Sequence, residues 1–212
     1  MPPPADVPPV ELVSAAAYAT ILRTPPLRRL LVPEGLLPSP YTVLTFDATL
    51  QLHDPLGRRA TFVRRQTVQF AQDAVGAILD HVWGDGIALT DYWTDAGRLI
   101  GSLRGGPRRH LVLALGRRTH RGEVLSFQVR RRAIAAFLAP EEWVATVVDH
   151  PVQQLRRTIV FPPERPCRLA VLDVGGRQPR LPIAHDTAGR TWVRVAVQVP
   201  LAHTAYTVRW LW

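Results

Sequence analysis

Apolar and polar residues alternate along the chain from position 41 onward. In Leu44–Leu52 every second residue is apolar, and the residues between them are Thr, Asp and Gln. Successive side chains of a β-strand point to opposite faces, so this pattern predicts a half-buried strand. A turn is predicted at Asp54–Gly57. The segment Arg59–Phe70 is predicted to return as the second strand of a hairpin.

Short apolar segments separated by turn residues continue to the end of the chain. Gln72–Val82 has near-helical spacing and predicts one short helix, and Pro140–Trp143 predicts a helix start or a tight turn. Strands are predicted at about Ile87–Tyr92, Arg98–Leu103, His110–Leu115, Val124–Phe137, Leu155–Phe161, Arg168–Val174, Arg190–Val199 and Ala205–Trp212. In the last strand the aromatic and apolar residues share one face, which predicts that the chain ends inside a sheet.

The regular strand spacing predicts a mainly β fold, namely an antiparallel β-sandwich with one or two short helices. Residues 1–40 are rich in proline and are predicted to form an arm with a short helix over roughly Val10–Arg23. This arm either packs on the body or docks onto a partner. A β-rich domain over 41–139 and a β-rich C-terminal sub-domain over 140–212 are predicted. One continuous sandwich is the alternative.

The composition excludes several protein classes. The chain has 212 residues, of which 47% are hydrophobic and 20% charged, so it is too apolar to be disordered by composition. A single cysteine excludes a disulfide scaffold and multi-cysteine zinc sites. No run approaches about 18 apolar residues, and the start of the chain does not resemble a secretory signal. We therefore expect no membrane span and a cytoplasmic location.

All 26 basic residues are arginine, and the formal net charge is +9. The absence of lysine and asparagine is first interpreted as the mark of a GC-rich genome. It also has a chemical consequence, because P-loops and Schiff-base chemistry need lysine. The excess charge lies mainly in 104–132, where nine arginines accompany one acid, Glu123.

Residues 104–132 are predicted to form a basic hairpin. Such a ribbon can follow a phosphate backbone or enter a major groove, so arginine-mediated nucleic-acid binding is one hypothesis. The alternative is that upstream aspartates, such as Asp80 and Asp91, neutralise the hairpin. The candidate nucleic-acid-binding residues are Arg104, Arg108, Arg109, Arg117, Arg118, Arg121, Arg130, Arg131 and Arg132.

No catalytic motif is present in the sequence. The four serines lie outside any G-x-S-x-G pattern, and the seven histidines lack the H-x-x-x-H spacing of a helical metal site. Cys167 is flanked by arginine, yet burial at a strand entry is its more ordinary role. No catalytic residue, metal ligand or cofactor is therefore assigned.

These observations favour a non-enzymatic protein that acts by protein–protein interaction, as a scaffold or assembly component. The chain has six tryptophans, and large aromatic residues are common anchors of interfaces. Trp83, Trp93 and Trp143 are predicted to lie in loops and are the interface candidates. A protein partner or a homo-oligomer is expected. Nucleic-acid binding through 104–132 is the alternative.

Overall fold

The structure is a computed structural model that describes residues 40–83, 91–105, 108–148 and 151–212. For 81–83, 103–105 and 108–110 only the backbone is described. The strands are β1 (Tyr41–Leu52), β2 (Arg59–Phe70), β3 (Ala77–Trp83), β4 (Trp93–Thr94), β5 (Arg98–Gly105), β6 (Arg108–Ala114), β7 (Val124–Ile134), β8 (Glu141–Val148), β9 (Val152–Val160), β10 (Leu169–Asp173), β11 (Ile183–His185), β12 (Thr191–Gln198) and β13 (Thr204–Leu211).

The described residues group into two compact units. The first unit contains residue 40 with 70–83, 96–105 and 108–123, and the second contains 41–69, 91–95, 124–148 and 151–212. The predicted boundaries at 40/41 and 139/140 stay a prediction. Strands from both 41–139 and 140–212 nevertheless belong to one sheet of the second unit.

The second unit contains a seven-stranded sheet in the order β11-β12-β9-β1-β2-β7-β4 and a three-stranded sheet in the order β10-β13-β8. At the centre of the larger sheet β1 and β9 run parallel, with Ala48 opposite Arg157 and Leu50 opposite Ile159. The neighbouring pairs β9–β12 and β2–β7 are antiparallel. The larger sheet is therefore mixed.

Both sheets of the second unit contribute to one hydrophobic core. Leu50 and Ile159 come from the larger sheet, whereas Val208 and Trp210 come from β13 in the smaller one. The ring of Trp210 meets Phe161 edge-on, with centroids 5.8 Å apart, and its side chain is 1% exposed. A core shared by two sheets is what a sandwich requires.

The first unit contains a separate three-stranded sheet in the order β3-β6-β5. Its strands are antiparallel, and the β5–β6 ladder has a register irregularity between Leu99 and Gly101. Ile78 and Leu113 are fully buried, as is Asp80. The Thr119 hydroxyl donates a hydrogen bond to the Val75 carbonyl, which ties the loop after β6 to the segment before β3.

The prediction of a mainly β fold is confirmed. The segments β1 and β2 are neighbours joined by the predicted turn at Asp54–Gly57, and the C-terminal strands lie close to their predicted positions. In β13 the predicted inward residues are all buried, as the alternation required: Tyr206, Val208, Trp210 and, just after the strand, Trp212.

The predicted short helix over Gln72–Val82 is wrong. Ala77–Trp83 forms β3, which pairs with β6 along its whole length. A short apolar run has too few residues for its spacing to distinguish a helix from a buried strand. The segment is a strand because its backbone forms hydrogen bonds with β6. No helix begins at Pro140–Trp143 either, because Glu141–Trp143 are the first residues of β8, whose backbone pairs with β13. The predicted helix over Val10–Arg23 lies outside the described residues.

The predicted basic hairpin over 104–132 is also wrong. Strand β6 pairs with β3 and β5, whereas β7 pairs with β2 and β4 in another sheet. The hairpin in this region is instead β5–β6, with Gly105 opposite Arg108. The short separation of β6 and β7 in the sequence favoured a hairpin between them. In the structure each of the two strands forms its backbone hydrogen bonds with other strands.

The turn between β1 and β2 depends on glycine at position 57. Gly57 has a φ of 67°, in the left-handed region, and its nitrogen donates to the Asp54 carbonyl at 3.1 Å. A Cβ at this position would lie 1.6 Å from the Phe137 carbonyl oxygen. The Phe137 backbone therefore leaves no room for any residue other than glycine at position 57.

We predict that Gly57→Ala lowers the free energy of unfolding by about 3 kcal/mol, because backbone clash adds to φ strain. Gly175→Ala is the matched control, since Gly175 has a φ of 58° with open space around it. Alanine at position 175 would meet no neighbouring atom, so only the strain of a positive φ remains, and the free energy of unfolding should fall by about 1 kcal/mol. Urea unfolding measures both losses. Equal losses would contradict the steric explanation.

Candidate functional site

The nine candidate arginines are not brought together into one ribbon. Arg104, Arg108 and Arg109 lie on β5 and β6, but their side chains are outside the described part. Arg117, Arg118 and Arg121 lie in the exposed loop after β6. Arg117 forms an ion pair with Glu123, and the Arg121 nitrogen donates to the Asp73 carboxylate at 2.8 Å.

The remaining three candidates lie on β7 and point in different directions. Arg130 and Arg132 are exposed, and Arg132 pairs with Asp91 at 3.2 Å, so one upstream aspartate does neutralise a candidate residue. Arg131 is only 8% exposed and lies 4.1 Å from the centre of the Phe62 ring. Alternation along the strand therefore removes Arg131 from any phosphate-binding surface.

The candidate tryptophans lie on strands, so their predicted placement in loops is wrong. Trp83 ends β3, Trp93 begins β4, and Trp143 lies in β8. Trp93 is 50% exposed and Trp143 is 51% exposed, whereas the side chain of Trp83 is outside the described part. Two of the three interface candidates thus present a large aromatic surface to solvent.

The outer face of the seven-stranded sheet contains a groove of about 480 Å³. Polar and apolar residues of five strands line it, and Asp95 also contributes to the lining. Neighbouring arginines on the same strand differ in burial. Arg65 and Arg156 are exposed on this face, whereas the adjacent Arg64 and Arg157 are buried. The polar lining consists of Thr45, Asp47, Arg65, Gln66, Thr67, Asp95, Ser126, Gln128, Gln154, Arg156 and Gln198.

Hydrogen bonds hold several of the groove side chains in place. Arg65 Nε donates to Gln128 Oε1 at 3.1 Å, and the Thr67 and Ser126 hydroxyls are 3.0 Å apart. Asp95 Oδ1 accepts from the Gln128 backbone nitrogen at 2.7 Å. These contacts orient one guanidinium, one side-chain amide and two hydroxyls, and groups that are already oriented lose less entropy when a ligand binds.

The outer face of the three-stranded sheet is apolar instead. The registers of β10 with β13 and of β13 with β8 place Val171, Arg209 and Trp143 in one row across it. Its apolar members are half-buried or exposed: Trp143, Ala145, Val147, Leu169, Val171 and Leu211. Arg209, on the central strand, lies between Val171 and Trp143 and contacts Asp173 at 3.7 Å, and Glu141 is exposed opposite Leu211. Exposed apolar residues grouped on one sheet face, with charged residues among them, are typical of an interaction surface.

Buried arginines occupy the inner face of the seven-stranded sheet. Arg157 is 5% exposed, its Nε donates to the Thr146 hydroxyl at 2.8 Å, and its Nη1 makes no hydrogen bond with the described residues. Burial, with a smaller effect from Arg131 and Arg64, lowers the pKa of Arg157 to about 9. Burial of this guanidinium charge therefore carries a desolvation cost that opposes folding.

The described residues contain no group of three or more His, Cys, Asp or Glu side chains placed to hold a metal ion. Cys167 is buried, and burial raises the pKa of its thiol to about 11, so little thiolate forms near neutral pH. No helix of the described part is long and apolar enough to cross a membrane. The cytoplasmic location stays a prediction.

Comparisons with known proteins identify no family. No family model and no curated protein matches the chain. Solved structures that resemble it include an M1 zinc metallopeptidase from Deinococcus radiodurans and a mutant of that enzyme bound to a Tyr-Ser-Ala substrate. Both are 12% identical, with TM-scores of 0.46 and 0.47. Each match covers 82% of this chain and 44% of the other, so this chain spans less than half of those proteins. No activity is transferred from them.

Sequence reasoning missed the groove. The alternation in β1 had already separated Thr45 and Asp47 from the apolar positions, but nothing in the sequence showed which strands lie beside them. Arg156, which contacts Asp47 at 3.4 Å, is 109 positions away from it in the chain. The polar faces of the individual strands were the only signal available.

We predict that Arg157→Met raises the free energy of unfolding at pH 7 by about 1 kcal/mol or more, because it removes a buried charge that no carboxylate in the described part neutralises. The lowered pKa means that the unfolded chain binds more protons above pH 9, so wild-type stability rises there. The advantage of the variant should therefore narrow between pH 7 and pH 10. Denaturant unfolding of the wild type and of Arg157→Met at both pH values measures this difference in the free energy of unfolding.

Arg156→Met is the control for that experiment, because Arg156 is the exposed neighbour on the same strand. Its effect should stay within about 0.5 kcal/mol. A destabilised Arg157→Met protein would show that the hydrogen bond to Thr146 outweighs the burial of the charge.

Proposed function

We propose that this chain is a non-enzymatic interaction protein that binds a second copy of itself through the outer face of the three-stranded sheet. The observation that supports it is the exposed apolar patch around Trp143, with Leu211 on the adjacent strand. Burying such a patch against another protein is favourable at roughly 25 cal/mol per Å² of apolar surface. Aromatic residues at the centre of a patch commonly dominate the binding energy.

A second copy fits this face because the face carries both signs of charge. An isologous interface brings the same patch together twice, so it must be complementary to itself. Arg209 supplies a positive group, while Glu141 and Asp173 supply negative ones. A two-fold axis through this face can therefore place Arg209 of one copy against an acidic residue of the other, beside the apolar side chains.

Sedimentation velocity over roughly 1 to 100 µM protein tests this proposal. We expect the wild type to dimerise and Trp143→Ser/Leu211→Ser to weaken the dimer at least about tenfold, because the double change removes the apolar anchors. A wild type that stays monomeric over the whole range would refute self-association.

A matched control is Val199→Ser/Leu201→Ser, which removes two exposed apolar side chains elsewhere in the same unit. This variant should dimerise like the wild type. Equal weakening in both variants would mean that general loss of surface hydrophobicity, rather than the Trp143 patch, controls association. Thermal unfolding of each variant confirms that the fold is retained.

Nucleic-acid binding is the second candidate function. The observation that favours it is that Arg118 and Arg121 are exposed and have no carboxylate partner for their guanidinium groups in the described part. Arginine without an internal partner is available to phosphate. Because the loop contains adjacent basic residues, it can follow a nucleic-acid backbone.

We predict that, if this candidate is correct, duplex DNA binding weakens with rising salt, and Arg118→Ser/Arg121→Ser lowers its affinity about tenfold at low salt. Arg177→Ser/Arg180→Ser removes the same charge from another exposed loop and serves as the control. Fluorescence anisotropy at two salt concentrations gives both affinities. Binding that is absent at low salt, or equally reduced in the two variants, excludes this function.

A further inference from the structure

Three buried arginines, which we call the arginine cluster, lie on the inner face of the seven-stranded sheet. Arg64 on β2, Arg131 on β7 and Arg157 on β9 are each at most 8% exposed. The guanidiniums of Arg131 and Arg157 lie 4.1 and 5.5 Å from the centre of the Phe62 ring. Burial, and after it the charges of Arg131 and Arg64, lower the pKa of Arg157, so both neighbours act electrostatically on this guanidinium.

The strand order explains why two of these side chains meet. Ala48 on β1 lies opposite Arg157 on the parallel strand β9. In the β1–β2 hairpin the His53 nitrogen donates to the Arg59 carbonyl, and counting along both strands from that pair places Ala48 opposite Arg64. One row across the sheet therefore has a methyl group between two long cationic side chains. An alanine leaves more room between the two guanidiniums than a larger core residue would.

Arg157 is held in place, but the described residues do not neutralise it. Its Nε donates to the Thr146 hydroxyl at 2.8 Å, whereas its buried Nη1 makes no hydrogen bond with the described part of the chain. No carboxylate of the described residues is among the groups that shift its pKa, and a pKa of about 9 keeps it charged at pH 7. A buried, charged and oriented donor without an acceptor costs free energy, which an anion would offset.

We propose that the arginine cluster binds one small oxyanion, such as phosphate, inside the second unit, with Arg157 Nη1 as the anchoring donor. A guanidinium presents its N–H groups as a planar fork that matches two oxygens of a phosphate or a carboxylate. The positive charges of Arg64 and Arg131 add to the attraction, because charges interact more strongly in the interior than in water. This site goes beyond the proposed self-association, and either one can exist without the other.

Burial restricts the occupant to a small free ion. Because the three arginines are at most 8% exposed, the backbone of a nucleic acid or a segment of another protein does not reach them. An ion of a few atoms needs only local opening of the sandwich to enter. The inner face differs in this respect from the groove on the outer face of the same sheet, where Arg156 contacts Asp47.

Equilibrium dialysis with radiolabelled inorganic phosphate, at constant ionic strength in a Tris chloride buffer, tests the proposal. We expect saturable binding of one phosphate per chain. Arg157→Met should weaken it by about tenfold or more, because the anchoring charge-assisted bonds are lost. Arg156→Met makes the same charge change at the exposed neighbour on the same strand, and its affinity should stay within about twofold of the wild type.

A second pair of variants tests the site without removing any charge. Thr146→Val loses the hydroxyl that fixes Arg157, and we expect phosphate affinity to fall by about threefold or more. Thr146→Ser keeps a hydroxyl and should retain an affinity within about twofold of the wild type. Thermal unfolding verifies the fold of each variant. Low concentrations of phosphate should also raise the unfolding midpoint of the wild type and of Arg156→Met, but not that of Arg157→Met.

Competition between ions separates oxyanion recognition from general charge attraction. At equal ionic strength, sulfate should displace labelled phosphate at least about tenfold better than chloride, because chloride has no second oxygen for the guanidinium fork. Equal displacement by the two ions would overturn the proposal.

Three other results would also overturn it: no saturable phosphate binding to the wild type up to about 10 mM, unchanged affinity in Arg157→Met, or equal losses in Arg157→Met and Arg156→Met. If Arg157→Met failed to fold, unchanged affinity in Thr146→Val would overturn it instead.

Discussion

The packing of Trp210 and Trp212 against Phe161 supports the whole second unit. These rings belong to a core to which both sheets contribute, and Trp212 Nε1 also donates to the Ala139 carbonyl at 2.9 Å. Arg165 extends this arrangement, since its guanidinium lies 3.9 Å from the Trp212 ring and bonds to the Pro55 carbonyl. Because this core uses the inner faces of the two sheets, their outer faces remain available for other contacts.

Those two outer faces differ in chemistry. The smaller sheet presents Trp143 and Leu211, whose contribution on contact would be burial of apolar area. The larger sheet presents guanidinium, amide and carboxylate groups, with equal numbers of arginines and aspartates in the lining of its groove. The smaller sheet is therefore the one whose exposed apolar area favours the proposed self-association.

The inner face of the larger sheet combines apolar packing with charge. Phe62 lies against Arg131, and Arg157 lies within 5.5 Å of the same ring. Cation–π contact offsets part of the desolvation of these guanidinium groups, but it does not restore the ordinary pKa of Arg157.

The sequence by itself determined the strands whose side chains alternate, because a period of two depends only on local backbone geometry. It predicted the β1–β2 hairpin and the buried aromatic face of β13. It could not determine the partners of β3, β6 and β7, nor the parallel pairing of β1 with β9, since these depend on backbone hydrogen bonds between distant segments. The same long-range pairing brought Arg65, Asp47 and Arg156 together. The groove therefore exists only in the tertiary structure, where five polar strand faces lie side by side.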